Sequence, residues 1–216
     1  MEKIFIKKIL SLSLVSSMLL SVSYMILEPV VVSALSDSDA VEVTLTVDSG
    51  ITISNGADVI MDPNLGISAN KSTGASSWLV KTNHATGYSL AVKASSSPAL
   101  VSGSNSFTDY TDTGDVPEAW SVATGDKEFG YSVFSSDTDT PDATWGDGSS
   151  CGTSGTIPTD LKYVGMKTTD NIIATRSTVT PVDGVTTNIC FAAEQNGVYA
   201  ASGVYKATIT ATATEI

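Results

Sequence analysis

Four aspartates stand close together at Asp137, Asp139, Asp142 and Asp147, in a stretch made mostly of Ser, Thr and Gly. Carboxylates two apart on a turning backbone converge on one cation, and calcium takes about six to eight such oxygens. The spacing is not that of an EF-hand. Pro141 stands where a third acidic residue would fall, and no glutamate closes the site. The chemistry open to this loop is therefore weak calcium binding in the extracellular concentration range, or simple hydration of an acidic loop. Calcium is the one cofactor the sequence raises.

Other reactive types are sparse. Cys151 and Cys190 are the two cysteines of the chain, and an even pair in an exported protein most simply forms one disulfide. Closing that loop contributes about 2–4 kcal/mol when unstrained. A single His and two Cys leave no zinc-type ligand set. His84 has no nucleophile pattern beside it, as a catalytic base requires, and reads as a surface loop residue. Gly146-Asp147-Gly148-Ser149-Ser150 is not a nucleophile elbow, because Ser150 and Cys151 follow Ser149. Paired carboxylates for glycoside hydrolysis are not identified by spacing alone. Of Trp78, Trp120 and Trp145, the first two lie in alternating runs and read as core. Trp145 lies in the Asp/Gly loop, so it is the tryptophan expected to be partly exposed and to stack on a sugar.

The elements that must hold these residues are strands. The last stretch, Tyr205 to Thr214, places Tyr, Ala, Ile, Ala and Ala on odd positions, and Lys followed by Thr alone on even ones. A period of two puts one set on the core face and the other in water. Val41-Glu42-Val43-Thr44-Leu45-Thr46-Val47 alternates as cleanly. Trp78 to Asn83 and Tyr88 to Ala94, joined by a short link ending in Gly87, read as a hairpin. Ala119 to Val122, Phe129 to Phe134, Leu161 to Met166, Ile172 to Thr175 and Val185 to Ala193 supply further strands. Ser95 to Val116 and Ser135 to Pro158 read as long loops. The fold class expected is all-β: a two-sheet, mostly antiparallel β-sandwich, immunoglobulin-like or jelly-roll-like, behind a hydrophobic N-terminal signal helix.

Residues 1–34 open with a basic start and an apolar, Ser-rich run, and Val32 and Ala34 suit signal-peptidase cleavage. An uncleaved anchor is the other reading of this run. A short leader, 35–40, and a single domain, 41–216, are expected to follow. No sorting motif or second hydrophobic span is seen near Ile216. Removing residues 1–34 takes away three Lys and two Glu, which moves the net charge from −12 to −13. Such a surface repels nucleic acid and anionic lipid. The membrane is therefore a partner only through the signal segment, if that is uncleaved.

Trp78-x-Val80-x-Thr82-Asn83, Gly87-Tyr88-x-Leu90-x-Val92, Phe129-Gly130-Tyr131-Ser132 and Ser202-Gly203-Val204-Tyr205 occur in that order. With these, the chain from Val41 to Ile216 resembles exported β-sandwich surface proteins of Gram-positive and candidate-phylum bacteria, of a loosely WxL-like kind. Tyr88-Ser89-Leu90 stands where a Trp-x-Leu pair would lie. The resemblance implies secreted or cell-surface architecture and carries over no catalytic residue. The function expected is a non-catalytic structural or adhesive module, partnered by a cell-wall or surface polymer or another surface protein. The alternatives are a carbohydrate- or cell-wall-binding module, or a pilin-like subunit assembling through its terminal strand.

Overall fold

A computed structural model describes residues 37–54, 56–134 and 143–216. The expected signal segment lies outside the described residues. The chain divides into two units, Met1–Thr46 and Val47–Ile216. In the first unit the described residues form no regular structure. Val41, Val43 and Leu45 are 82, 87 and 85 % exposed, and Val47, which opens the second unit, is exposed as well. The strand expected over Val41–Val47 is therefore absent. Alternation defines the two faces of a strand, but only a neighbour satisfies its backbone, and no ladder includes these residues.

The described part of the second unit is all-β, with no α-helix. Its strands are β1 (Ile51–Ile53), β2 (Lys71–Thr82), β3 (Tyr88–Ala94), β4 (Val101–Ser102), β5 (Asn105–Ser106) and β6 (Thr108–Asp109). They continue as β7 (Glu118–Ala119), β8 (Lys127–Phe134), β9 (Lys162–Gly165), β10 (Asn171–Arg176), β11 (Val185–Gln195) and β12 (Ile209–Glu215). The larger sheet runs β1-β2-β11-β8-β9-β7, with β6 alongside β8, and the smaller runs β10-β3-β12. Every pairing is antiparallel except β6 with β8.

The main core takes Trp78 and Val80 from β2, Phe129, Tyr131 and Val133 from β8, and Ile189, Phe191 and Ala193 from β11. From the smaller sheet it takes Tyr88, Leu90 and Val92 of β3 and Ile173 of β10. Two antiparallel sheets sharing one core are consistent with the expected sandwich. The alternation of β11 and β12 holds: in β12 the odd positions are half-buried and the Thr positions exposed.

The expected hairpin does not form. β2 and β3 sit in different sheets, and the link Asn83–Gly87 crosses from one to the other. Trp78 and Val80 face Tyr88, Leu90 and Val92 across the core, whereas a hairpin would have set the strands edge to edge in one sheet. Gly87 makes the crossing possible. Its φ is +77°, and a Cβ there would stand 2.0 Å from the Arg176 carbonyl oxygen.

A second layer covers the outer face of the larger sheet. Tyr110, Leu161, Tyr163, Cys190 and Ala192 pack there, with Trp120, Phe134, Cys151 and Ile157 half-buried around them. The even positions of β11 face this layer while the odd ones face the main core, so β11 is buried on both faces. The Cys151–Cys190 disulfide, with Cα atoms 5.2 Å apart, ties the covering loop to this central strand. The stretch expected as one loop from Ser95 to Val116 contains the short strands β4, β5 and β6.

Candidate interaction groove

β12 pairs with β3 on one side, over Ile209–Glu215, and with no strand on the other among the described residues. Across the core, the edge of the larger sheet is poorly closed. β1 holds β2 for three residues, and Ser54 continues it through its backbone amide to the Leu79 carbonyl (2.9 Å). Pairing resumes only at Asp62, opposite Thr73. Between them, Val59 turns inward onto Gly74, where a Cβ would lie 2.4 Å from its methyl carbon, while Ile60 is exposed. Ser76 donates to the Ala57 carbonyl at 2.9 Å and holds the middle of this stretch.

The result is a groove of about 570 Å³ between β12 and residues 53–54 and 56–61. Its apolar lining includes Ile53, Val59 and Met61 on one wall, Ala207, Ile209 and Ala211 on the other, and Trp78, Phe129 and Phe191 at the floor. Trp78 and Phe191 keep 8 and 6 % exposure, so the groove reaches the main core itself. Asp58 is the acidic side chain at the rim. A trough with apolar side chains at its floor and polar groups along its walls, beside a strand edge unpaired among the described residues, offers backbone donors and acceptors along one side and side-chain pockets beneath, the two elements of strand recognition.

A pair of carboxylates lies elsewhere. Glu128 of β8 and Glu194 of β11 are directly opposite in the ladder, and both are buried. The indole Nε1 of Trp120 donates to Glu194 Oε2 at 2.7 Å, and Lys71 Nζ lies 3.3 Å from the same oxygen. The Thr111 hydroxyl donates to Glu128 Oε1 at 3.2 Å. Burial pushes the Glu128 carboxyl above the usual carboxylate range, opposed by the Thr111 bonds and assisted by the charges of Asp126 and Glu194. Hydrolysis of a glycosidic bond needs two carboxyls flanking the bond. These stand side by side on adjacent strands, with oxygens bonded to Thr111, Trp120 and Lys71.

The residues singled out in the sequence fall as follows. Trp145 is 4 % exposed, its ring 5.5 Å from that of Tyr131. The expectation of partial exposure is overturned: a 3₁₀ turn over Ala143–Trp145 and the bridge between Gly146 and Leu161 direct the indole inward. Trp120 is the half-buried tryptophan, stacked on Tyr110 at 4.5 Å and edge-on to Tyr163. Trp78 is core, as expected. Asp137, Asp139 and Asp142 lie outside the described residues, and Asp147 is exposed. His84 lies in the inter-sheet link, where its Nδ1 is 2.9 Å from the Thr86 hydroxyl.

Sequence reasoning did not find the groove or the glutamate pair. The glutamates left a trace, each standing at the end of an apolar run, Glu128-Phe129-Gly130-Tyr131 and Phe191-Ala192-Ala193-Glu194. The groove left none, because it depends on which strands are neighbours. No protein-family model matches this chain, and no curated protein matches it.

Proposed function

We propose that this chain is a non-catalytic, exported structural or adhesive protein of a bacterial cell surface or extracellular assembly, built on a sandwich of immunoglobulin-like or jelly-roll-like kind. The observation that carries the reading is the groove with an apolar floor beside the edge of β12. It suits a polymer or a protein strand better than a small substrate to be transformed. The Cys151–Cys190 disulfide and the strong negative charge fit an oxidising, aqueous exterior. The resemblance to WxL-like surface proteins points the same way. The carbohydrate-binding alternative rested on an exposed Trp145 and loses that support with its burial.

The test is to shave intact producing cells with protease and to fractionate the medium. The reading expects peptides of residues 47–216 outside the cell, with Cys151 and Cys190 recovered as one linked pair. Reduced protein confined to the cytoplasm, or turnover of a glycan or peptide substrate by the purified chain, would overturn it.

A further inference from the structure

The exposed segment Val41–Val47 and the groove beside β12 are complementary. The segment carries Val41, Val43, Leu45 and Val47 on one parity and Glu42, Thr44 and Thr46 on the other. β12 has the same length, seven residues, and the same design, with Ile209, Ala211 and Ala213 turned inward and Thr210, Thr212 and Thr214 outward. Laid along β12 where the groove opens, at Ile209–Ala211, the segment would drop aliphatic side chains toward Trp78 and Phe191 and extend the row of threonines on the outside. Side chains directly opposite on neighbouring strands are the stabilising unit of a sheet, and Thr–Thr pairs are among the favourable ones. The fit also removes two liabilities at once, an unpaired strand edge and a run of exposed aliphatics.

The geometry points to a second copy of this chain as the source of the strand: residues 41–47 of one molecule complete the smaller sheet of the next. The chain enters its own sandwich at residues held beside the end of β12. The Asp48 carbonyl accepts from Asn83 Nδ2 and the Gly50 amide donates to Asn83 Oδ1, both at 2.8 Å. The Ser49 hydroxyl donates to Glu215 Oε1 at 2.8 Å. To lie in its own groove, the segment would have to reverse immediately at these pinned residues and run parallel to β12. A segment from another molecule is free to lie antiparallel, in the more stable ladder. Donor segment and acceptor groove are different surfaces, so the contact is head-to-tail and builds a closed ring or an open filament according to the rotation between copies. The inference rests on the exported structural reading, which brings residues 41–47 close to a new N-terminus after cleavage at Ala34.

Full chains carrying Leu45→Cys under one tag would be mixed with chains carrying Ile209→Cys, Ala211→Cys or Ala213→Cys under another, under mild oxidation. The native cysteines are already paired, so the new thiols report the contact. Strand exchange predicts a mixed-tag dimer at one acceptor position or more, and a ladder of multimers from the corresponding double variants. It also predicts that Val43→Asp/Leu45→Asp loses every species above monomer while remaining folded, since both side chains are exposed in the free molecule. A double variant that cross-links only within one chain would assign the groove to its own segment and overturn the proposal. So would the absence of any cross-link, or multimers that persist in the Asp variant. A monomeric parent at the cell surface would overturn strand exchange and leave the exported reading standing. A parent that assembles through residues 41–47 but stays in the cytoplasm would do the reverse.

Discussion

Glu128 illustrates how a single buried side chain couples this fold to pH. Its carboxyl is raised above the 4.5 of an ordinary glutamate, mainly by burial. The folded state therefore holds that proton more tightly than the unfolded chain. Stability from this group falls as pH rises from the unfolded value through the folded one, and the penalty is complete above it. Glu128→Gln removes the ionisation and keeps an oxygen for Thr111. Urea unfolding is expected to find the variant more stable than the parent at pH 7, with the gap closing toward pH 4; a variant weaker at pH 7 would refute this. Gly87 is the other residue on which much depends. An alanine there meets the Arg176 carbonyl and must adopt a positive φ, so Gly87→Ala is expected to cost at least about 1–3 kcal/mol in equilibrium unfolding.

Among the elements, β12 shows how a finishing strand contributes. It pairs with β3 along its whole length, the Thr86 hydroxyl donates to the Ile216 carbonyl behind it, and Tyr205 ahead of it packs edge-on to Phe107 at 5.2 Å. Burying an aliphatic or aromatic side chain fully is worth about 1.5–3 kcal/mol, and a domain has only about 5–15 kcal/mol in hand. Truncation after Gly203 is therefore expected to unfold the protein or leave it aggregating through the exposed edge of β3. A soluble, monomeric truncation melting with the parent would contradict this. Alternation made β11 and β12 legible in the sequence, because it reports which side chains share a face. It does not report which strand is the neighbour. Hence Trp78–Asn83 and Tyr88–Ala94 carry a hairpin signature yet enter opposite sheets, and Val41–Val47 carries a strand signature with no strand beside it among the described residues. Trp145 reads as exposed for a related reason: its neighbours in sequence are small or polar, but its neighbours in space, Tyr131 among them, come from distant strands. The disulfide was readable because two cysteines allow one intramolecular pairing.

For the molecule as a whole, the larger sheet is covered on both faces, by the smaller sheet and by the disulfide-tied outer layer. The smaller sheet ends at β12, which has no strand on its other side among the described residues. Residues 41–47 of a second copy, whose alternation matches that of β12, are the strand proposed for this edge. Hydrogen exchange, compared between monomeric and assembled fractions of the purified protein, follows both parts together. In the monomer, residues 41–47 and the amides of β12 not bonded to β3 should exchange fast, while β2, β3, β8 and β11 are slow; on assembly, residues 41–47 and β12 should gain protection together. Slow exchange of residues 41–47 already in the monomer, or a β12 unchanged by assembly, would contradict the account.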